Sequence, residues 1–138
     1  ILKMAFVGKW ELSASDNLDA YLTALGVPAG KQADIKAALE PPAKSTEEYS
    51  LSGDSLTVKT VTTAGDETHT YQLGAPTDDN ILTWAAAKVV FEAKGNTLIE
   101  TQKGDFGEAV VEATATGNTL TVKLTSKGVT ATRTYTKV

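Results

Sequence analysis

Cysteine is absent from this chain, and histidine and methionine occur once each. Without cysteine there is no disulfide framework, no thiolate metal site and no thiol nucleophile, and the lone His69 excludes a multi-histidine metal centre. Basic residues number 13 against 17 acidic ones, and they are dispersed along a chain of net charge −4 rather than gathered in a stripe. That excludes the electrostatic footprint of a nucleic-acid binder. No run of ~18 apolar residues offers a membrane-spanning helix, and the opening Ile1-Leu2-Lys3-Met4-Ala5-Phe6 turns polar too soon for a secretory signal. These absences predict a cytoplasmic protein with no cofactor. Ile1, Leu2 and Lys3, ahead of Met4, read as a remnant that is not native. The length of 138 residues predicts one domain, 1–138, able to bury about two thirds of its unfolded surface.

What is present is mostly alternation of period two. Apolar and polar residues alternate from Phe6 through Leu12, which predicts a first strand with Trp10 and Leu12 inward. Ser15 or Asp16 then offers an N-cap, and Leu18, Tyr21, Leu22 and Leu25 form one helical stripe before Gly26 ends it. A second short helix is predicted over 31–39, with Pro28 ahead of it and Pro41-Pro42 behind. From Lys44 onward the sequence predicts strands over 46–51, 55–62, 67–73, 81–93, 97–103, 108–116 and 119–125 and from Gly128 to the end, with 74–80 as the longest loop. No helical pattern is left for a βαβ crossover, so the sheet is antiparallel. Such a meander closes into a sandwich or barrel, and the two helices suit a cap upon it.

In the final strand, Val129, Ala131, Arg133 and Tyr135 share a face opposite a row of threonines. An inward guanidinium is costly unless an anion meets it. Two partners fit: a ligand carboxylate inside a hollow barrel, with the Tyr135 hydroxyl as a second donor, or an internal acid of the protein itself. Val58, Val110, Leu120, Val122 and Leu124 are apolar positions whose phase agrees with an inward Arg133.

The chain resembles the intracellular lipid-binding proteins, the family of the fatty-acid-binding and cellular retinoid-binding proteins. The resemblance is carried by Phe6-Val7-Gly8-Lys9-Trp10-Glu11-Leu12 with Asp16 through Leu22 and Ala24-Leu25-Gly26-Val27, by Gly53-Asp54 with Tyr71-Gln72-Leu73-Gly74, and by Gly128-Val129 through Arg133-Thr134-Tyr135. It implies an all-β, ten-stranded antiparallel up-and-down barrel with a helix-turn-helix lid, and a carrier of a long-chain fatty acid or, alternatively, a retinoid or other neutral lipid. It further implies that Arg133 and Tyr135 hold the head group, that Leu18, Tyr21 and Leu22 form the lid, and that Tyr71 and His69 face the interior. Leu18 stands where the family usually has an aromatic residue. Alignment with the family turns Val110 and Glu112 inward, with Glu112 where many members place a second arginine or a glutamine. Composition alone favours the opposite phase, with Val111 and Ala113 inward.

An enzyme of the same shape, isomerising its lipid, is the contrasting class. It would need His69 poised with Glu112 or Glu47, and site chemistry favours a non-catalytic carrier. The expected partner is a hydrophobic small molecule bound by a monomer, with no nucleic acid. Lys31 and Lys36 on the lid suggest transient contact with an anionic membrane surface.

Overall fold

The computed structural model describes residues 4–63, 65–82 and 84–138, so the expectation for Ile1 to Lys3 lies outside the described residues. Strand β1 (Gly8–Asp16) is followed by helices α1 (Leu18–Leu25) and α2 (Ala29–Leu39). Nine further strands complete the chain: β2 (Thr46–Ser52), β3 (Ser55–Thr62), β4 (Gly65–Gln72), β5 (Thr77–Ile81), β6 (Ala85–Lys94), β7 (Thr97–Gly104), β8 (Gly107–Thr116), β9 (Thr119–Ser126) and β10 (Val129–Lys137). They form one antiparallel sheet in the order β4-β3-β2-β1-β10-β9-β8-β7-β6-β5. Every neighbouring pair except β1–β10 and β1–β2 is a hairpin of consecutive strands, most of them joined at a glycine-bearing turn.

The sheet curls so that its edges, β4 and β5, approach without a backbone ladder between them. Side chains bridge the gap: the Tyr71 hydroxyl donates to Asp79 Oδ2 at 2.5 Å. The Tyr71 ring also packs on Phe91, with centroids 4.5 Å apart. Elsewhere, Trp10 is fully buried and its indole N–H donates to the Phe6 carbonyl at 2.9 Å, closing the start of β1 over the core.

The stripe of α1 is buried as its spacing requires, with Leu18, Tyr21, Leu22 and Leu25 each at most 1% exposed. Gly26 ends the helix at φ +96°, its N–H bonded to the Leu22 and Thr23 carbonyls. Neither Ser15 nor Asp16 is the cap. Strand β1 continues through both, paired with Arg133 and Thr132, so the helix starts from Asn17 in the left-handed region. The Asn17 side chain reaches across to the Thr130 carbonyl instead of capping.

Two strand expectations change. The stretch over 74–80 holds β5, and the single strand expected over 81–93 begins only at Ala85. Asp78-Asp79-Asn80 has poor strand propensity, yet the ladder from Thr77↔Val89 to Ile81↔Ala85 holds it extended. The phase of β8 is the second change. Ala109, Ala113 and Ala115 are buried and Val111 shares their face, so Val110 and Glu112 face outward. Register supplies the reason: Val111 stands opposite Leu124 and Ala113 opposite Val122, both inward, whereas Glu112 stands opposite the exposed Lys123 on the outer face.

Candidate functional site

The barrel encloses a cavity of about 190 Å³, and a second space of about 440 Å³ lies between it and α2. Glu47, Thr60, Glu67, Asn80, Leu82 and Arg133 line both, which makes Arg133 a wall residue shared by the two spaces. Lys31, Asp34, Ile35, Ala38 and Leu39 of α2 border the outer one.

Arg133 is 6% exposed. Its Nη1 donates to the Tyr135 hydroxyl oxygen at 2.5 Å, while its Nε is buried with no hydrogen-bond partner among the described residues. Among the described residues no carboxylate lies within ion-pair distance of it, although Glu47, whose Oε2 accepts from the Tyr49 hydroxyl at 2.6 Å, faces the same cavity. Burial opposes the guanidinium charge, but Tyr135 and Glu47 outweigh it and the group stays firmly protonated. Tyr135 is fully buried behind Arg133 rather than on the cavity wall, and burial raises its pKa despite the adjacent cation.

Glu100, on the inward face of β7 with Leu98 and Gln102, is the acid that matters most. It is half-buried, and its carboxylate lies on the cavity wall. Burial pushes its pKa up to about 7, with Asp79 and Glu47 adding to the rise while Gln102 and Arg133 oppose it. Gln102 Nε2 donates to Glu100 Oε2 at 2.9 Å. Tyr21 is the α1 side chain that reaches the cavity, and burial followed by the Glu100 charge pushes its hydroxyl up to about 12.

Of the residues singled out from sequence, Arg133, Tyr21, Tyr71, His69, Val58, Val122 and Leu124 line the cavity. Leu18, Leu22 and Leu120 do not: they are packed in the core at 1%, 0% and 0% exposure, so Leu18 is no gate to the interior. Val110 and Glu112 are excluded by the β8 phase described above. His69 has a half-exposed side chain and stands 3.5 Å from Glu67, not beside Glu47 or Glu112, which removes both acid–base pairs considered for an enzyme. Glu100, Gln102 and Asp79 are cavity residues that the sequence reading missed. The alternation Leu98, Glu100, Gln102 is the available signal, but Ile99 and Thr101 make the opposite phase no more polar, so period two alone leaves the choice open.

A hollow antiparallel barrel under two helices, with a buried guanidinium on its inner wall, defines a lipid-binding barrel. The adipocyte fatty acid-binding protein of Pygoscelis papua is 30% identical over 132 residues, covering 94% of this chain and 95% of that protein. Fatty acid-binding protein 2 of Manduca sexta is 28% identical over 124 residues, covering 89% and 90%. Among solved structures, the Schistosoma mansoni fatty acid binding protein in complex with arachidonic acid superposes with a TM-score of 0.87 at 27% identity, covering 97% of this chain and 96% of that one. No protein-family model matches the chain. The chain belongs to the fatty acid-binding protein family. Among the described residues no helix is long and apolar enough to cross a membrane.

Proposed function

We propose that this protein is a non-catalytic, single-domain carrier that encloses a long-chain fatty acid inside its barrel, with the head group at Arg133. The observation that carries this reading is the Arg133 guanidinium: buried, on the cavity wall, and with an Nε that no atom of the described residues satisfies. An unmet buried donor is costly, and a carboxylate ligand supplies the missing acceptor. Val58, Val122, Leu124 and Phe91 offer apolar wall to the tail, at ~0.8 kcal/mol per buried CH₂. The two spaces together fall in the range of small-molecule sites, ~300–1,000 Å³. The related protein from Schistosoma mansoni holds arachidonic acid in the same fold.

The carrier acts as a cytoplasmic monomer, and its helical lid makes transient contact with membrane surfaces. Lys31, at the border of the outer space, is the cation suited to that contact, because Lys36 is engaged with Asp19 at 2.5 Å. The test compares a fatty acid with its methyl ester. Arg133→Ala weakens binding of the acid by roughly tenfold or more, the worth of a charge-assisted hydrogen bond, and leaves the ester nearly unchanged. Equal losses for both would make Arg133 structural.

A further inference from the structure

We propose that Glu100 determines which lipid head the cavity accepts: a carboxylate enters together with one proton, whereas a head that donates a hydrogen bond, such as a primary alcohol, enters without one. This rests on the carrier reading above and specifies its selectivity. The argument begins with the charge lining the inner cavity. Glu47 from β2, Glu67 from β4, Asp79 from β5 and Glu100 from β7 are carboxylates, against the Arg133 guanidinium of β10 and the His69 imidazole of β4. Among the described residues the other elements bring no further cation to the inner wall. The titratable neutral groups there are the Tyr21 hydroxyl of α1, the Tyr49 hydroxyl of β2 and the Tyr71 hydroxyl of β4; the remaining wall from β3 and from β5 to β9 is neutral apart from the acids just named, and Lys31, Asp34 and Asp66 stand only at the outer space. A ligand carboxylate would therefore be one more anion in a low-dielectric space that holds a single permanent cation.

Among these acids Glu100 is the one prepared to give up its charge. No cation lies within ion-pair distance of it among the described residues, and its recorded side-chain partner is the neutral Gln102 amide. Burial already places its proton equilibrium at about 7 in the empty cavity, and a neighbouring ligand carboxylate raises it further. The carboxylate ligand then binds Arg133 while Glu100 Oε takes a proton from solvent, so the site gains no net charge. An alcohol instead donates its hydroxyl hydrogen to the ionised Glu100, and no proton is exchanged.

Calorimetric titration of oleate and of oleyl alcohol, each in two buffers of different ionisation heat at pH 8, counts the protons directly. The wild-type protein is expected to take up about one proton with oleate and none with the alcohol, and its oleate affinity to fall up to tenfold per pH unit above 7. Glu100→Gln, close in shape to the protonated acid, should abolish the uptake, flatten the pH dependence and tighten oleate at pH 8. Oleate binding without proton uptake, or uptake that persists in Glu100→Gln, overturns the proposal; the wild-type count alone decides even if the variant misfolds. Failure of both ligands to bind at any pH overturns the carrier reading itself, and this inference with it.

Discussion

Arg133 sits in the barrel wall without an ion-pair partner among the described residues, so its burial is supported by hydroxyl and aromatic neighbours instead of a neutralising acid. The Tyr135 hydroxyl accepts from Nη1, and the Tyr135 ring centroid lies 5.6 Å from the guanidinium carbon. Such burial costs stability, and the head-group role proposed for Arg133 gives that cost a use. Glu100 carries a similar cost with a sign that can be tested. Its folded-state pKa, about 7, lies above the ordinary glutamate value of 4.5, so between those values the folded state binds more protons than the unfolded one. Stability contributed by this group is therefore present below about pH 4.5 and lost as pH rises through about 7. Denaturant titrations of Glu100→Gln and wild type should diverge as pH is raised from 5 to 8, the variant gaining on the order of 2–3 kcal/mol relative to wild type. A constant difference across that window would mean that the carboxylate is solvated. At Gly104 the constraint is steric: a Cβ would stand 2.6 Å from the Ala86 carbonyl oxygen and 2.7 Å from the Phe106 ring.

Strands β4 and β5 meet through side chains, which makes their junction the least supported seam of the barrel. Of the eight β4 residues only Tyr71 is buried, and it is also the residue bonded to Asp79. Tyr71→Phe removes that hydrogen bond but keeps the ring on Phe91. Hydrogen exchange in β4 and β5 should accelerate about fivefold, equivalent to roughly 1 kcal/mol, and exchange in β9 and β10 should not change. Equal acceleration everywhere would show global destabilisation instead of a local seam. Helix α1 is constrained in the opposite way. Leu18 is buried within the core, so Leu18→Trp should cost about 1–3 kcal/mol by overpacking without selectively slowing ligand release. Thermal melting together with stopped-flow release of a fluorescent fatty acid separates the two effects; slower release at unchanged stability would restore Leu18 to the portal.

The whole molecule is a chain of local pairings closed by two longer-range ones. Hairpins follow one another from β2 to β4 and from β5 to β10, and only β1 joins the two runs by pairing with both β2 and β10. The hollow produced by that closure leaves stability to be gained when the cavity is filled. A fatty acid at a free concentration of 100 times its Kd should stabilise the folded state by about 2.7 kcal/mol. Differential scanning fluorimetry reads this as a rise in melting temperature that depends on ligand concentration, and a melting temperature indifferent to ligand would contradict the carrier.

The sequence by itself determined the antiparallel sheet, the two short helices and the inward Arg133. Each depends on a local period or a turn residue: the alternation around Arg133, the Leu18-Tyr21-Leu22-Leu25 stripe, and Gly26 at the end of α1. The resemblance at the two ends of the chain added the barrel and the lid. Only the tertiary structure decided which face of β8 is inside, because Val110–Glu112 and Val111–Ala113 are both plausible alternations and the choice is made by pairing with Leu124 and Val122. It also made a strand of Asp78-Asp79-Asn80, whose propensity argues for a loop, through the ladder to β6. Of the two acids, Glu112 lies on the outer face of β8 and Glu100 lines the cavity that Arg133 also lines, since a carboxylate's environment is set by strands distant in sequence that close around it. Periodicity places a side chain on one face or the other; closure of the barrel decides which face is dry and which charges share it.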